Sequence, residues 1–349
     1  MQVCMMLSYA GGFRESVAQV AELEKVGLDV VWVAEVYGFD SPSLMGYLAA
    51  KTERVQIAAG ILPIYSRTPA LIAMTAAGLD ALSDGRFQLG LGASGPQVIE
   101  GWHGVPYSAP VGRTREVIEI CRKVWAREEP LVHEGRVFSV PLRAPGGTGL
   151  GKPLKMIGRP VRARIPIWVA SLGEKNVEMT AEVADGWLPF LFWPEKAGEV
   201  WGRALQAGKA KRDAALGPLQ VSAGGPLAIG EGPEVREMAQ LLRPMLALYI
   251  GGMGAKGRNF YNDVVCRYGY EREAGEIQDL YLSGNKEQAA ALVPDELVEA
   301  MSLCGPESFV AERIAAFKQA GVTHLQVAPI PTGDESVVSL VAKVRELAG

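Results

Sequence analysis

Three apolar runs of strand length begin at positions 3, 29 and 55, so the start of the chain repeats itself every 26 residues. They read VCMML (3–7), DVVWVAE (29–35) and VQIAAGIL (55–62). Near-continuous apolar runs of this length are what a strand needs when both faces of a parallel sheet are covered. Between the runs the spacing changes to three and four residues, in ESVAQVAELEKV (15–26) and in PALIAMTAAGLDALS (69–83), where Pro69 suits a first helical position. Further runs follow at RFQLGLG (86–92), IPIWVAS (165–171), GWLPFLF (186–192), LQVSAGGPLAI (219–229) and THLQVAP (323–329), which brings the strand count to eight. Eight βα beats predict an α/β fold, a (β/α)8 TIM barrel, rather than an open sheet. One domain is expected over 1–349, with insertions near 128–164, a Gly-, Pro- and Arg-rich loop, and near 231–305, which carries extra helical segments.

Charge and composition narrow the function. With 35 Lys and Arg against 39 Asp and Glu, the net charge near -4 lacks the basic excess that a nucleic-acid surface requires. No apolar run reaches the length of a membrane span, and the first residues lack the pattern of a signal peptide, so no membrane role and a cytoplasmic location are expected. Cys4, Cys121, Cys266 and Cys304 are widely spaced and read as reduced thiols. His103, His133 and His324 form no metal-binding pattern, and no metal site is expected.

Gly90, Gly92 and Gly95 are spaced as G-x-G-x-x-G, the spacing of a dinucleotide site. The context argues otherwise. That fingerprint opens the first βα unit and runs straight into a helix, whereas these glycines follow the fourth strand and meet Pro96. The stretch instead reads as a Gly-rich βα loop at the C-terminal mouth of a barrel, where backbone N–H groups can meet a ligand.

The segments RFQLGLGASGPQVIEGWHG, AAGILPIYSRTPALIAMTAAGLDALSDGR, IPIWVASLGEKNVEMTAEVADGWLP and YIGGMGAKGRNFYNDV resemble the luciferase-like monooxygenase superfamily. More narrowly, they resemble its deazaflavin-dependent oxidoreductases, the relatives of methylenetetrahydromethanopterin reductase that use coenzyme F420. The resemblance implies a homodimeric barrel with the deazaflavin, or alternatively FMN, over the C-terminal ends of the strands. It implies hydride transfer to or from the coenzyme's C5 and a small-molecule substrate. Two alternatives stay open: an FMN-dependent monooxygenase fed by a partner reductase, and a coenzyme-binding protein without turnover.

Carried over by position, Gly60 and Ile61 match a non-prolyl cis peptide that backs the ring. Ser94, Gly95 and Gln97 fall in the loop after the fourth strand. Ala170, Ser171, Leu172 and Gly173 precede a helix start suited to the coenzyme's phosphate, with a turn capped by Ser171 as the bland alternative. Lys196 is expected to attract the anionic tail, and Arg159, Arg162 and Arg164 to do so or to form a solvated loop. Glu35, at the end of the second strand, is the candidate catalytic group, either orienting the ring or relaying a proton, unless it forms an ion pair with a nearby Arg. Val36 stands where sugar-phosphate-oxidising relatives have His, which favours reduction of an activated C=C or C=N bond over alcohol oxidation. Trp187, Phe190, Phe192 and Trp193, with Tyr249, Met253, Phe260 and Tyr261, are candidates for an apolar pocket or for core. His103 is expected to make a structural hydrogen bond rather than act as an acid.

Overall fold

A computed structural model describes residues 1–7, 11–142 and 145–349. Eight parallel strands close into a barrel: Gln2–Leu7, Val30–Val33, Gln56–Ala59 continued by Leu62–Pro63, Phe87–Gly92, Ile167–Ala170, Gly186–Leu188, Gln220–Ile229 and His324–Pro329. Each pairs with the next in sequence, and His324 of the eighth lies opposite both Gln2 of the first and Ser222 of the seventh. Gln220 of the seventh opposite Gly186 of the sixth completes the ring.

Alternation along the strands sorts side chains into two layers. One set, including Val3, Val31, Ile57, Leu89 and Val169, faces the surrounding helices and forms the main apolar core. The other fills the lumen, where Cys4, Val30, Trp32, Ala58 and Trp168 pack together. Several polar lumen groups pair with one another, whereas among the described residues the Trp32 indole N–H has no partner. The Trp168 indole N–H donates to Gln88, whose amide donates to Gln56, and Gln326 Nε2 donates to Ser222 Oγ at 3.1 Å. The His324 ring packs edge-on against Trp168, and burial pushes its pKa down to about 4. The lumen is a packed core and not a pore.

The observed strands are shorter than the apolar runs at three places. The second ends at Val33. The third is broken between Ala59 and Leu62. The sixth stops at Leu188, where Pro189 removes the next backbone donor. The first helix, Phe13–Leu23, tightens into a 3₁₀ turn over Glu24–Val26, and the predicted helix at 69–83 is Pro69–Leu82, capped by Thr68. Within 128–164 the sequence hides a two-stranded antiparallel hairpin, His133–Glu134 with Ser139–Val140. It is held by Glu116, whose carboxylate accepts the N–H groups of Arg136 (2.8 Å), Val137 (3.1 Å) and Phe138 (2.8 Å). Within 231–305 lie several short helices and one strand that the sequence reading missed, Leu303–Gly305, which pairs with Leu227–Ile229 outside the barrel ring.

Candidate functional site at the barrel mouth

The break in the third strand lies at its C-terminal end, the face where barrel ligands bind. There the Gly60–Ile61 peptide is cis, as the resemblance implied. The neighbouring strand makes room for this irregular backbone. A Cβ on Gly90 would stand 1.8 Å from the Ala59 carbonyl oxygen, and one on Gly92 would stand 2.8 Å from Ile61 Cγ1 and 3.6 Å from Ala170 Cβ. Gly92 lies opposite Pro63 on one side and Ala170 on the other. Gly60, Ile61, Gly92 and Ala170 therefore lie side by side at the ends of three strands, with the Ile61 side chain laid over Gly92. The first two glycines of the dinucleotide-like motif serve that close approach of backbone and side chain. Gly90 and Gly92 are the site residues that the sequence reading left unassigned, and their G-x-G spacing on one face of a strand was the signal.

Beyond Ala170 the chain turns into the helix Glu174–Val183, whose N-cap, Gly173, offers no capping side chain. Ser171 does not cap it. Its hydroxyl is buried against Thr180 Oγ1 at 2.9 Å, so only its backbone can meet a ligand. The turn is pinned by two indoles, Trp187 Nε1 donating to the Ser171 carbonyl (2.9 Å) and Trp201 Nε1 to that of Leu172 (3.0 Å). The first N–H groups of the helix remain for water or an anion. In the loop after the fourth strand, Ser94 takes a left-handed conformation (φ 57°), Gly95 starts the short helix Pro96–Gly101, and Gln97 is exposed.

The sequence profile of luciferase-like monooxygenases matches residues 2–324. The chain belongs to the luciferase-like monooxygenase family. A Mycobacterium tuberculosis protein provisionally named a coenzyme F420-dependent oxidoreductase is 41% identical over 310 residues, covering 88% of each chain. Among solved structures, the F420-dependent tetrahydromethanopterin reductase of Methanopyrus kandleri superposes with a TM-score of 0.76 at 21% identity, over 98% of this chain and 96% of that one. An F420-dependent secondary alcohol dehydrogenase in complex with an F420–acetone adduct superposes equally well, at 18% identity over 100% and 99% of the two chains.

Several residues that the sequence suggested for this luciferase-like site are committed elsewhere. The Glu35 carboxylate faces the Arg67 guanidinium in a two-pronged pair, with Nη2 to Oε2 at 2.9 Å, and also accepts the Ser41 N–H (2.9 Å) and hydroxyl (3.0 Å). This is the ion-pair alternative: Oε2 accepts from Arg67 and twice from Ser41, whereas Oε1 accepts from Arg67 alone. Lys196 is likewise engaged. Its ammonium donates to the Tyr268 carbonyl at 2.6 Å and lies over the Trp193 ring at 4.4 Å. Arg162 binds Asp80 and the Phe87 carbonyl, and Arg164 binds Asp185 and the Ala215 carbonyl, so both sit at the strand starts, on the face opposite the mouth. Arg159 is exposed.

The aromatic candidates divide. Trp187 and Phe192 are core, the first edge-on to Trp201 and the second stacked on it. Phe190, Tyr249 and Tyr261 form a half-buried cluster, with Phe190 and Tyr249 centroids 4.3 Å apart. Phe260 is 60% exposed and approaches Gly173, while Met253 is also exposed. His103 differs from expectation, since its buried Nε2 has no hydrogen-bond partner. It borders a cavity of about 340 Å³ between the loops after strands two, three and four, together with Val36, Phe39, Leu71, Trp102 and the Glu35–Arg67 pair. Among the described residues, no helix is long and apolar enough to cross a membrane.

Proposed function

We propose that this protein is an F420-dependent oxidoreductase that moves hydride between the deazaflavin and a largely apolar organic substrate. The observation that carries the reading is the patch of Gly60, Ile61, Gly92 and Ala170 leading to the uncapped helix start at Gly173. These residues fit the coenzyme: Gly60 and Gly92 leave room for a flat ring to lie against the Ile61 side chain at the strand ends, and a phosphate needs free N–H groups at a helix N-terminus. When bound, the deazaflavin supplies or accepts hydride at C5. The chain's own work is to back the ring with Gly60 and Ile61, to offer the loop of Ser94, Gly95 and Gln97 beside it, and to hold the phosphate at Gly173. The cavity walled by Val36, Phe39, Leu71 and Trp102 suits an apolar substrate body. Of the two carboxylates that line the cavity, Glu35 is paired with Arg67 and Asp40 caps the helix Ser41–Lys51, which favours reduction of an activated C=C or C=N bond over removal of a hydroxyl proton.

The reading extends to a homodimer in the cytoplasm. Tyr47 on the helix Ser41–Lys51 and Leu71, Met74 and Leu82 on Pro69–Leu82 are exposed apolar side chains that a second copy would cover. A monomer by light scattering at micromolar concentration would remove that part. The cofactor is tested by spectral titration of the purified protein. F420 is expected to bind at least about tenfold more tightly than FMN, or about 1.4 kcal/mol. Tighter FMN binding would replace the reading with that of a monooxygenase fed by a partner reductase.

A further inference from the structure

With Lys196, Arg162 and Arg164 engaged elsewhere, a different cation stands at the mouth without an acid partner. Arg113 lies in the first turn of the helix Pro110–Ala126, which starts at the mouth because each barrel helix runs back against the strand before it. Its guanidinium is held between two rings, 4.6 Å from the Tyr65 centroid and 4.9 Å from that of Phe138. Among the described residues it has no carboxylate partner, its buried Nε makes no hydrogen bond, and its side-chain hydrogen bond is to the neutral Tyr65 hydroxyl. The surroundings keep it in place. Tyr65 donates to the Ser108 carbonyl at 2.7 Å and stacks on Tyr107 at 5.1 Å, and the Tyr107 hydroxyl reaches the Ser94 carbonyl at 3.4 Å. Phe138 is fixed from the other side by the Glu116 carboxylate.

Stacking on aromatic faces leaves the edge of a guanidinium free to donate in its plane, and that edge is what a carboxylate or phosphate recognises. An arginine ordered in this way without an acid has already met the cost of immobilising its side chain. Its helix packs beside Glu174–Val183, to which it is tied by the Arg115–Glu182 pair, and both helices start without a capping side chain. We propose that Arg113 is an anion-binding residue that receives a carboxylate of the coenzyme's acidic tail beyond the phosphate. The proposal rests on the F420 reading above. The same chemistry would accept an anionic substrate, and the experiment separates the two sources.

The test is fluorescence titration of wild type, Arg113→Gln and Arg113→Lys with F420 and with its ring-and-ribityl core, which lacks phosphate and tail. Arg113→Gln is expected to weaken F420 binding about tenfold and to leave core binding unchanged, with Arg113→Lys between. Wild-type affinity for F420, but not for the core, should fall with added salt. Equal losses for both ligands, or unchanged F420 affinity in a folded variant, would overturn the assignment and leave Arg113 to a substrate anion or to packing alone. If Arg113→Gln does not fold, salt-independent F420 binding by wild type overturns it equally well. Wild type that binds neither ligand refutes the F420 reading itself, a result visible before any variant is made.

Discussion

At the N-terminal face of the barrel, Arg86 alone donates to the carbonyls of Ser83 (2.8 Å), Val55 (2.7 Å), Thr52 (3.0 Å) and Ala49 (3.2 Å), tying the loops before strands three and four to a helix end. Arg162 and Arg164 do the same with Asp80 and Asp185 as counter-ions. At the C-terminal face the bookkeeping is left open. The helices after strands one, four, five, six and seven begin at Gly12, Ala109, Gly173, Lys196 and Gly232 without a capping side chain, and Arg113 lacks an acid. The mouth is itself divided, because the helices after strands two, three and eight are capped by Asp40, Thr68 and Ser336. A capped start has its donors satisfied and has little to offer an anion. The arc of the mouth from strand four to strand seven therefore leaves its helix starts without side-chain caps, while the opposite face of the barrel is tied shut.

The comparison can be broken most severely at the closed face. Asp80 is fully buried in the helix Pro69–Leu82 and pairs with Arg162, which also holds the carbonyl that opens the fourth strand. Asp80→Ala leaves that guanidinium without its counter-ion, and a loss of about 3 kcal/mol is expected by urea denaturation. Coenzyme affinity at 25 °C should stay within about twofold. A variant of native stability, or one that folds but binds the coenzyme tenfold more weakly, would show that the two faces are not divided in this way.

A smaller effect is expected from Glu35, a mouth residue whose charge is spent as completely as those below. Glu35→Gln keeps the Ser41 contacts in part but removes the charge facing Arg67, which is only 14% exposed. A loss of about 2 kcal/mol in stability is expected, with turnover reduced less than tenfold. A fall in turnover of about 10²-fold with unchanged stability would return Glu35 to the catalytic role and would mean that its pairing with Arg67 opens during the reaction.

These contrasts mark what could be read from the sequence. The strands announced themselves because the main core demands unbroken apolar runs, and the 26-residue beat fixed their parallel order. Gly60 and Ile61 could be placed by resemblance, whereas the reason for Gly90 and Gly92 needed the Ala59 carbonyl, which lies 31 residues away from Gly90 and has no side-chain signature. The partners of Glu35, Lys196 and Arg162 were invisible for the same reason: Arg67, the Tyr268 carbonyl and Asp80 lie 32, 72 and 82 residues from them. Lone charges in a sequence carry no record of what neutralises them. Arg113 shows the converse, since nothing in TREVIEICRKVWA or the residues before it distinguishes the arginine without an acid from Arg115, which has one.

The smallest effect separates position from charge at the mouth. Lys196 stands just before the helix Ala197–Lys209, at the same level of the barrel as Gly173, and a cation there could serve the coenzyme by electrostatic attraction alone. Its ammonium is instead fastened to the Tyr268 carbonyl and covered by Trp193 and Tyr270, an arrangement that joins the sixth strand's loop to the helical insertion. Removing it therefore tests attachment and not attraction. Lys196→Ala is expected to cost about 1 kcal/mol of stability, the sum of one modest hydrogen bond and a partly exposed cation–π contact. F420 affinity should change by less than about twofold, and its salt dependence should match that of wild type. A tenfold weaker affinity with a flattened salt dependence would mean that the lysine releases Tyr268 when the coenzyme arrives, and the uncapped helix start after strand six would then carry a cation of its own for the coenzyme.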